Sequence, residues 1–153
     1  MNKEEIIKKL SLKPLKDEGG FIDETYRGKI RNNREAYSSS TYLITKDSFS
    51  CMHRLPNDEI WYFHDGESVE MLLIYEDHFE VVVLGKDFEK GELPQIRVKG
   101  GVWQGAHMKY DGEYSLVSLS MTPAYSEKEI DYASFDELKD KTEYKDLLRK
   151  LIK

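Results

Sequence analysis

His53 and Glu59 stand six residues apart across a Pro56-Asn57-Asp58 turn, each on a segment that reads as strand. An imidazole that titrates near neutrality beside a carboxylate can move a proton, hold a polar ligand or bind a metal if the two side chains converge. Alternation along a strand puts Glu59, Trp61 and Phe63 on one face and Ile60, Tyr62 and His64 on the other. Val102 and Gln104 share a face opposite Trp103. With Glu59 facing inward, Trp61 and Phe63 become aromatic walls over a polar floor of His53, Glu59 and Gln104. Apolar walls with a few convergent polar groups are the usual make-up of a small-ligand site. The plainer alternative is a buried histidine satisfied by Glu59 for stability alone, with Trp61 and Phe63 as core.

A second group is Glu24-Thr25-Tyr26-Arg27. Read as a regular strand, it places Thr25 and Arg27 on one face and Glu24 and Tyr26 on the other. An arginine on a strand can clamp a carboxylate or phosphate with two parallel hydrogen bonds; the alternative is a surface ion pair. His64, His78 and His107 are scattered without metal-ligand spacing. The single cysteine, Cys51, lies in an apolar strand pattern and reads as a buried, inert thiol.

The elements that must position these residues are mostly short strands. Apolar and β-branched runs at 21–27, 38–45, 49–53, 59–64, 69–75, 79–84, 96–98, 102–108 and 114–121 are separated by turn signals about every ten residues, the rhythm of an all-β barrel or sandwich. Gly19-Gly20 and Glu76-Asp77-His78 read as turns, residues 31–35 as a polar connection, and Val69–Tyr75 as a strand buried on both faces. Ile6, Ile7 and Leu10 behind Asn2 predict an N-terminal helix over 3–10, and apolar residues among charges predict helical structure over 134–152, broken near Thr142. One domain over 1–153, with a barrel core at about 20–123, is expected.

The formal net charge of −6 argues against nucleic acid as a partner, and the short basic clusters at 3–9 and 145–153 are interleaved with acids. No apolar run approaches the roughly 20 residues that span a bilayer, and the start of the chain has no apolar core of a secretory signal. A cytoplasmic protein is expected.

Two segments resemble the cupin superfamily. His53 takes the place of the first motif's first histidine, Glu59 its carboxylate and Gly66 its closing glycine, with six residues between it and Glu59. In the second motif Gly101 takes the glycine and Gln104 stands where a histidine is expected. A small single-domain branch of unknown function, cupin family five, resembles the chain nearly end to end. It does so through Gly20-Phe21, Glu24-Thr25-Tyr26-Arg27, Ser40-Thr41-Tyr42, His53-Arg54-Leu55, Asp58-Glu59-Ile60-Trp61, Leu72-Leu73, Gly101-Val102-Trp103-Gln104 and Thr122-Pro123. The resemblance implies a double-stranded β-helix, or jelly-roll barrel, with short terminal helices. It also implies a homodimer.

Departures from the motifs bear on the metal. Leu55 stands where metal-binding cupins place a second histidine, Gln104 replaces the third, Met108 replaces an asparagine and Lys99 a proline. Of the implied ligands His53, Glu59 and Gln104, only the first two are strong donors, and transition-metal sites usually need three. No cofactor is therefore expected as the default, with a divalent metal as the weaker alternative.

Three functions stay open. The first is an epimerase- or isomerase-like enzyme acting on a small polar metabolite (a sugar, nucleotide-sugar or carboxylate). Its base would be His53, oriented by Glu59, its acid Tyr26 or Tyr42, and its substrate contacts Thr25, Arg27, Trp61, Phe63 and Gln104. The second is a binding or sensing module using the same pocket. The third is a metal-dependent isomerase or dioxygenase. The fold alone does not choose among them.

Overall fold

In the computed structural model, which describes residues 2–29 and 35–153, two antiparallel sheets pack face to face. The strands are β1 (Lys13–Pro14), β2 (Phe21–Lys29), β3 (Glu35–Thr45), β4 (Ser50–Arg54), β5 (Glu59–Gly66), β6 (Val69–Ile74), β7 (Phe79–Leu84), β8 (Gln95–Val98), β9 (Trp103–Met108), β10 (Tyr114–Met121) and β11 (Asp131–Tyr132). One sheet runs β1-β2-β3-β10-β5-β8 and the other β11-β4-β9-β6-β7. Among the described residues there are also three α-helices, α1 (Lys3–Lys9), α2 (Phe135–Leu138) and α3 (Lys145–Lys150), and a short 3-10 helix at Phe88–Lys90. Residues 31–34 of the expected polar connection lie outside the described residues.

The inner faces of the two sheets enclose the main core. Tyr42, Ile44, Trp61, Val117 and Leu119 of the first sheet pack with Val69, Met71, Leu73, Ala106 and Met108 of the second. Burial alternates along β10 and β8 as the strand period requires, whereas β6 is buried on both faces from Met71 to Ile74. The reason is a second apolar layer. Leu72, Ile74, Met52 and Trp103 point outward from the second sheet and are covered by Leu138, Leu148 and Leu151 of the C-terminal helical segment. Trp103 is therefore an outer-face residue beneath α2 and α3, with the Arg54 guanidinium 4.5 Å above its ring.

A third, smaller cluster joins α1 to the outer face of the first sheet through Ile6, Leu12 and Leu43. Its helix starts on a reciprocal cap: the Asn2 side chain accepts from the Glu5 amide while the Glu5 carboxylate accepts from the Asn2 amide.

One expectation is corrected in β2. The register against β3 slips between Glu24 and Tyr26, so the alternation breaks there. Glu24 and Arg27 end on one side, bonded to each other, rather than on opposite faces.

Candidate functional site

The site forms where the inner rows of the two sheets meet. In the first sheet Glu59 lies across from Met121, which in turn pairs with Ser38; the next row holds Trp61, Leu119 and Ser40. In the second sheet His53 and Gln104 are cross-strand partners, with Leu73 on the other side of Gln104. Facing rows thus bring together residues that stand far apart in the chain.

Glu59, Trp61 and Gln104 close a triangle. The Trp61 indole N–H is shared between Glu59 Oε2 and Gln104 Oε1, 3.0 Å from each, and the Gln104 amide donates to Glu59 Oε2 at 2.9 Å. The edge of Trp61 meets Tyr42 at 5.8 Å between ring centroids, and the Tyr42 hydroxyl donates to the Gly19 carbonyl. Burial is the main cause that raises the Glu59 carboxyl to about pH 7, and the Glu18 carboxylate adds to it; His53, Gln104 and Trp61 oppose the rise.

His53 is not bonded to Glu59. Its Nδ1 lies 2.8 Å from the Cys51 carbonyl, which only accepts, so Nδ1 carries the proton and Nε2 the lone pair. Among the described residues Nε2 has no hydrogen-bond partner, although His53 is only 1% exposed. It faces Glu18 Oε1 at 3.7 Å, and that oxygen accepts from the Ser50 hydroxyl at 3.1 Å.

Glu18 is the site residue that sequence reasoning missed. It is 6% exposed and is held by a tight turn in which the Leu15 amide donates to the Gly20 carbonyl and the Gly19 amide to the Leu15 carbonyl. Gly19 adopts φ 106°, and a side-chain carbon there would sit 2.0 Å from the Phe49 carbonyl oxygen, so glycine is required. The Cys51 amide donating to the Glu18 carbonyl ties the turn to β4. In sequence, Asp17-Glu18 before two glycines looks like any solvated acidic turn. Only this docking makes Glu18 internal.

A cavity of about 40 Å³ lies above Glu59, lined by Glu18, Ser38, Ser40 and Tyr125 with Leu15, Ile22, Leu119, Ser120 and Met121. An outer cleft of about 380 Å³ shares Leu15 and Tyr125 with it and continues to Glu127, Ile130 and Tyr132. Leu15 and Tyr125 therefore form the partition between them. Tyr125 is fixed at its backbone: its amide donates to Ser38 Oγ at 2.9 Å, and its carbonyl accepts from both terminal nitrogens of Arg27 at 3.1 Å. A much wider, open cleft of about 730 Å³ between the β6–β7 turn and the α2–α3 connection is lined by charges of both signs and holds none of these groups.

The expected residues divide accordingly. His53, Glu59, Trp61 and Gln104 converge. Trp61 backs Glu59 and is fully enclosed, and Phe63 is a partly buried residue packed on the core. The cavity walls are thus aliphatic, serine and Tyr125 instead of Trp61 and Phe63. Tyr26 is 59% exposed on the outer face, packed against Tyr37. Thr25 is exposed and donates to the Ser39 carbonyl. Arg27 is engaged by Glu24, Glu35 and the Tyr125 carbonyl. Tyr42 is buried, with its hydroxyl committed to Gly19.

The metal of the cupin motifs does not fit this donor set. Leu55 is buried where a second histidine would stand, and the Glu59 oxygen that faces Gln104 already receives two N–H groups. Among the described residues no group of three His, Cys, Asp or Glu side chains is placed to hold a metal ion. Nor, among them, is any helix long and apolar enough to cross a membrane.

Two facing antiparallel sheets with these motifs define a jelly-roll of the cupin type. The family model described as Cupin superfamily (DUF985) matches residues 4–133, and the chain belongs to that family. It is similar to a Shewanella oneidensis protein solved by X-ray crystallography, at 32% identity over 100% of this chain and 98% of the other, with a TM-score of 0.91. A hypothetical protein from Leishmania major is 26% identical over 99% of each chain, with a TM-score of 0.85. A mutant of Bacillus subtilis oxalate decarboxylase shares the fold at 15% identity and a TM-score of 0.59, over 92% of this chain and 34% of that one. No curated protein matches the chain.

Proposed function

We propose that the cavity above Glu59 binds a small polar metabolite and that the site transfers a proton on it, in the manner of an epimerase or isomerase. The observation that carries this reading is a fully buried carboxyl raised to about pH 7 and open to the cavity, next to a histidine whose lone-pair nitrogen has no partner. A carboxyl poised near neutrality can both give and take a proton at working pH. Both hydrogen bonds to Glu59 arrive on Oε2, so Oε1 is the atom left to meet a ligand. His53 Nε2 and Glu18 Oε1 form a second station for the same proton. Glu59 is thus the acid–base group at the cavity, with Glu18 on the same lining and His53 behind Glu18. Tyr125, which lines the cavity, takes the place of Tyr26 as the tyrosine beside the ligand.

The test is exchange of solvent deuterium into a panel of sugars and keto-acids. Exchange with the native protein that is lost in Glu59→Gln supports proton transfer. A panel without exchange, alongside ligand binding that depends on Glu59 and Tyr125, replaces it with the binding-module reading, which the same enclosed cavity supports.

A further inference from the structure

We propose that Glu18 and Glu59 together make the cavity reject anions, so that its ligand is a hydroxyl-bearing molecule that is either uncharged or carries a positive amino group. This rests on the reading of the cavity as a ligand site and narrows it from sugars, nucleotide-sugars and carboxylates to polyol- or amino-alcohol-like molecules.

Both carboxylates line the cavity and are nearly enclosed, at 6% and 5% exposure. Glu18 Oε1 accepts from Ser50, while Glu18 Oε2 and Glu59 Oε1 receive no hydrogen bond among the described residues. Independently of the acids, the enclosed and unpartnered His53 Nε2 is aimed at Glu18 Oε1. At neutral pH Glu59 is ionised only part of the time, so the pair carries between one and two negative charges.

Among the described residues no lysine or arginine lines the cavity, and Lys16 belongs to the outer cleft. Arg27 is bound to Glu24, Glu35 and the Tyr125 carbonyl. The Lys153 ammonium sits outside, on the carbonyls of Lys16 and Asp17. A further negative charge in this water-poor space would meet repulsion with little screening, whereas a hydroxyl or ammonium donor would find open carboxylate oxygens and the Ser38 and Ser40 hydroxyls.

The test uses the intact protein, labelled with nitrogen-15, and three probes of nearly equal size: ethanolammonium, ethylene glycol and glycolate. The reporter is the Trp61 indole N–H, which donates to Glu59 and is told apart from the other indole by a Trp103→Phe variant. In the native protein the Trp61 cross-peak is expected to move with ethanolammonium and ethylene glycol and to stay with glycolate. In Glu18→Gln, ethanolammonium should weaken about tenfold and glycolate should begin to bind. Should that variant not fold, the order of the three probes on the native protein decides alone. Glycolate binding the native protein as well as ethanolammonium, or an order unchanged in Glu18→Gln, overturns the anion-rejection proposal and leaves the ligand site standing. A cross-peak unmoved by all three probes in both proteins overturns the ligand-site reading, and this inference with it.

Discussion

Trp61 Nε1 lies 3.0 Å from Glu59 Oε2, two residues along the same face of one strand. A tryptophan at that spacing turns the motif carboxylate away from metal chemistry, because the oxygen facing the second sheet is occupied by N–H donors. The other oxygen is left to the cavity. Burial, with the Glu18 carboxylate adding to it, outweighs the opposing effect of His53, Gln104 and Trp61, and proton affinity rises.

That rise carries a stability consequence. Glu59 titrates at about pH 7 when folded, against 4.5 for the unperturbed group. Between these values the folded protein holds a proton that the unfolded chain has lost, so Glu59 makes stability fall as pH increases through this window. The full span corresponds to about 3 kcal/mol. Urea unfolding of Glu59→Gln from pH 4 to 8 should show a shallower decline than the native protein, with the variant gaining relative stability toward pH 8. Parallel curves would show that Glu59 does not carry the effect.

The tautomer of His53 follows from its single partner. With Nδ1 donating to the Cys51 carbonyl, nitrogen-15 shifts at alkaline pH should report a protonated Nδ1 and a bare Nε2. A bare Nδ1 would remove His53 from the proposed proton route.

Arg27 is a clasp on the segment that closes the cavity. Its partners Glu24 and Glu35 are well exposed, so Arg27→Ala should cost roughly 1 kcal/mol or less in global stability. Amide exchange at Tyr125 should nevertheless quicken, because the Arg27 bonds to its carbonyl are gone. Unchanged exchange at Tyr125 would show that the Ser38 bond alone holds the partition.

Leu148→Ala separates stability from the site. Leu148 is fully buried against the outer face of the second sheet. Its truncation should cost about 2–5 kcal/mol by urea denaturation. Probe binding at Trp61, measured where the variant is folded, should be unchanged.

The strand pattern was legible because alternation and turn residues are local. The nine longer strands fall where the period and flanking turns put them, except that β3 begins at Glu35, within the expected polar connection, and the break near Thr142 separates α2 from α3 as expected. The two-residue strands β1 and β11 carry no period at all; each exists only by pairing with a longer neighbour. The β2 register slip was likewise unreadable, since an extra residue in one strand shows only against its partner. Phe63 shares the face of Glu59 and Trp61, yet that face continues past the cavity into the core, so a shared face did not establish a shared site.

By itself the sequence determined the cupin family, the inward strand faces and the meeting of His53, Glu59 and Gln104, because motif spacing and the two-residue period survive in one dimension. Tertiary structure alone decided the rest. A glycine turn folds Glu18 inward, and a hydrogen bond draws Trp61 onto Glu59. The Arg27 clasp then holds Tyr125 where it lines the cavity. The physical reason is that burial and partner choice are properties of segments packed from distant parts of the chain, and the charge state of Glu59 depends on both.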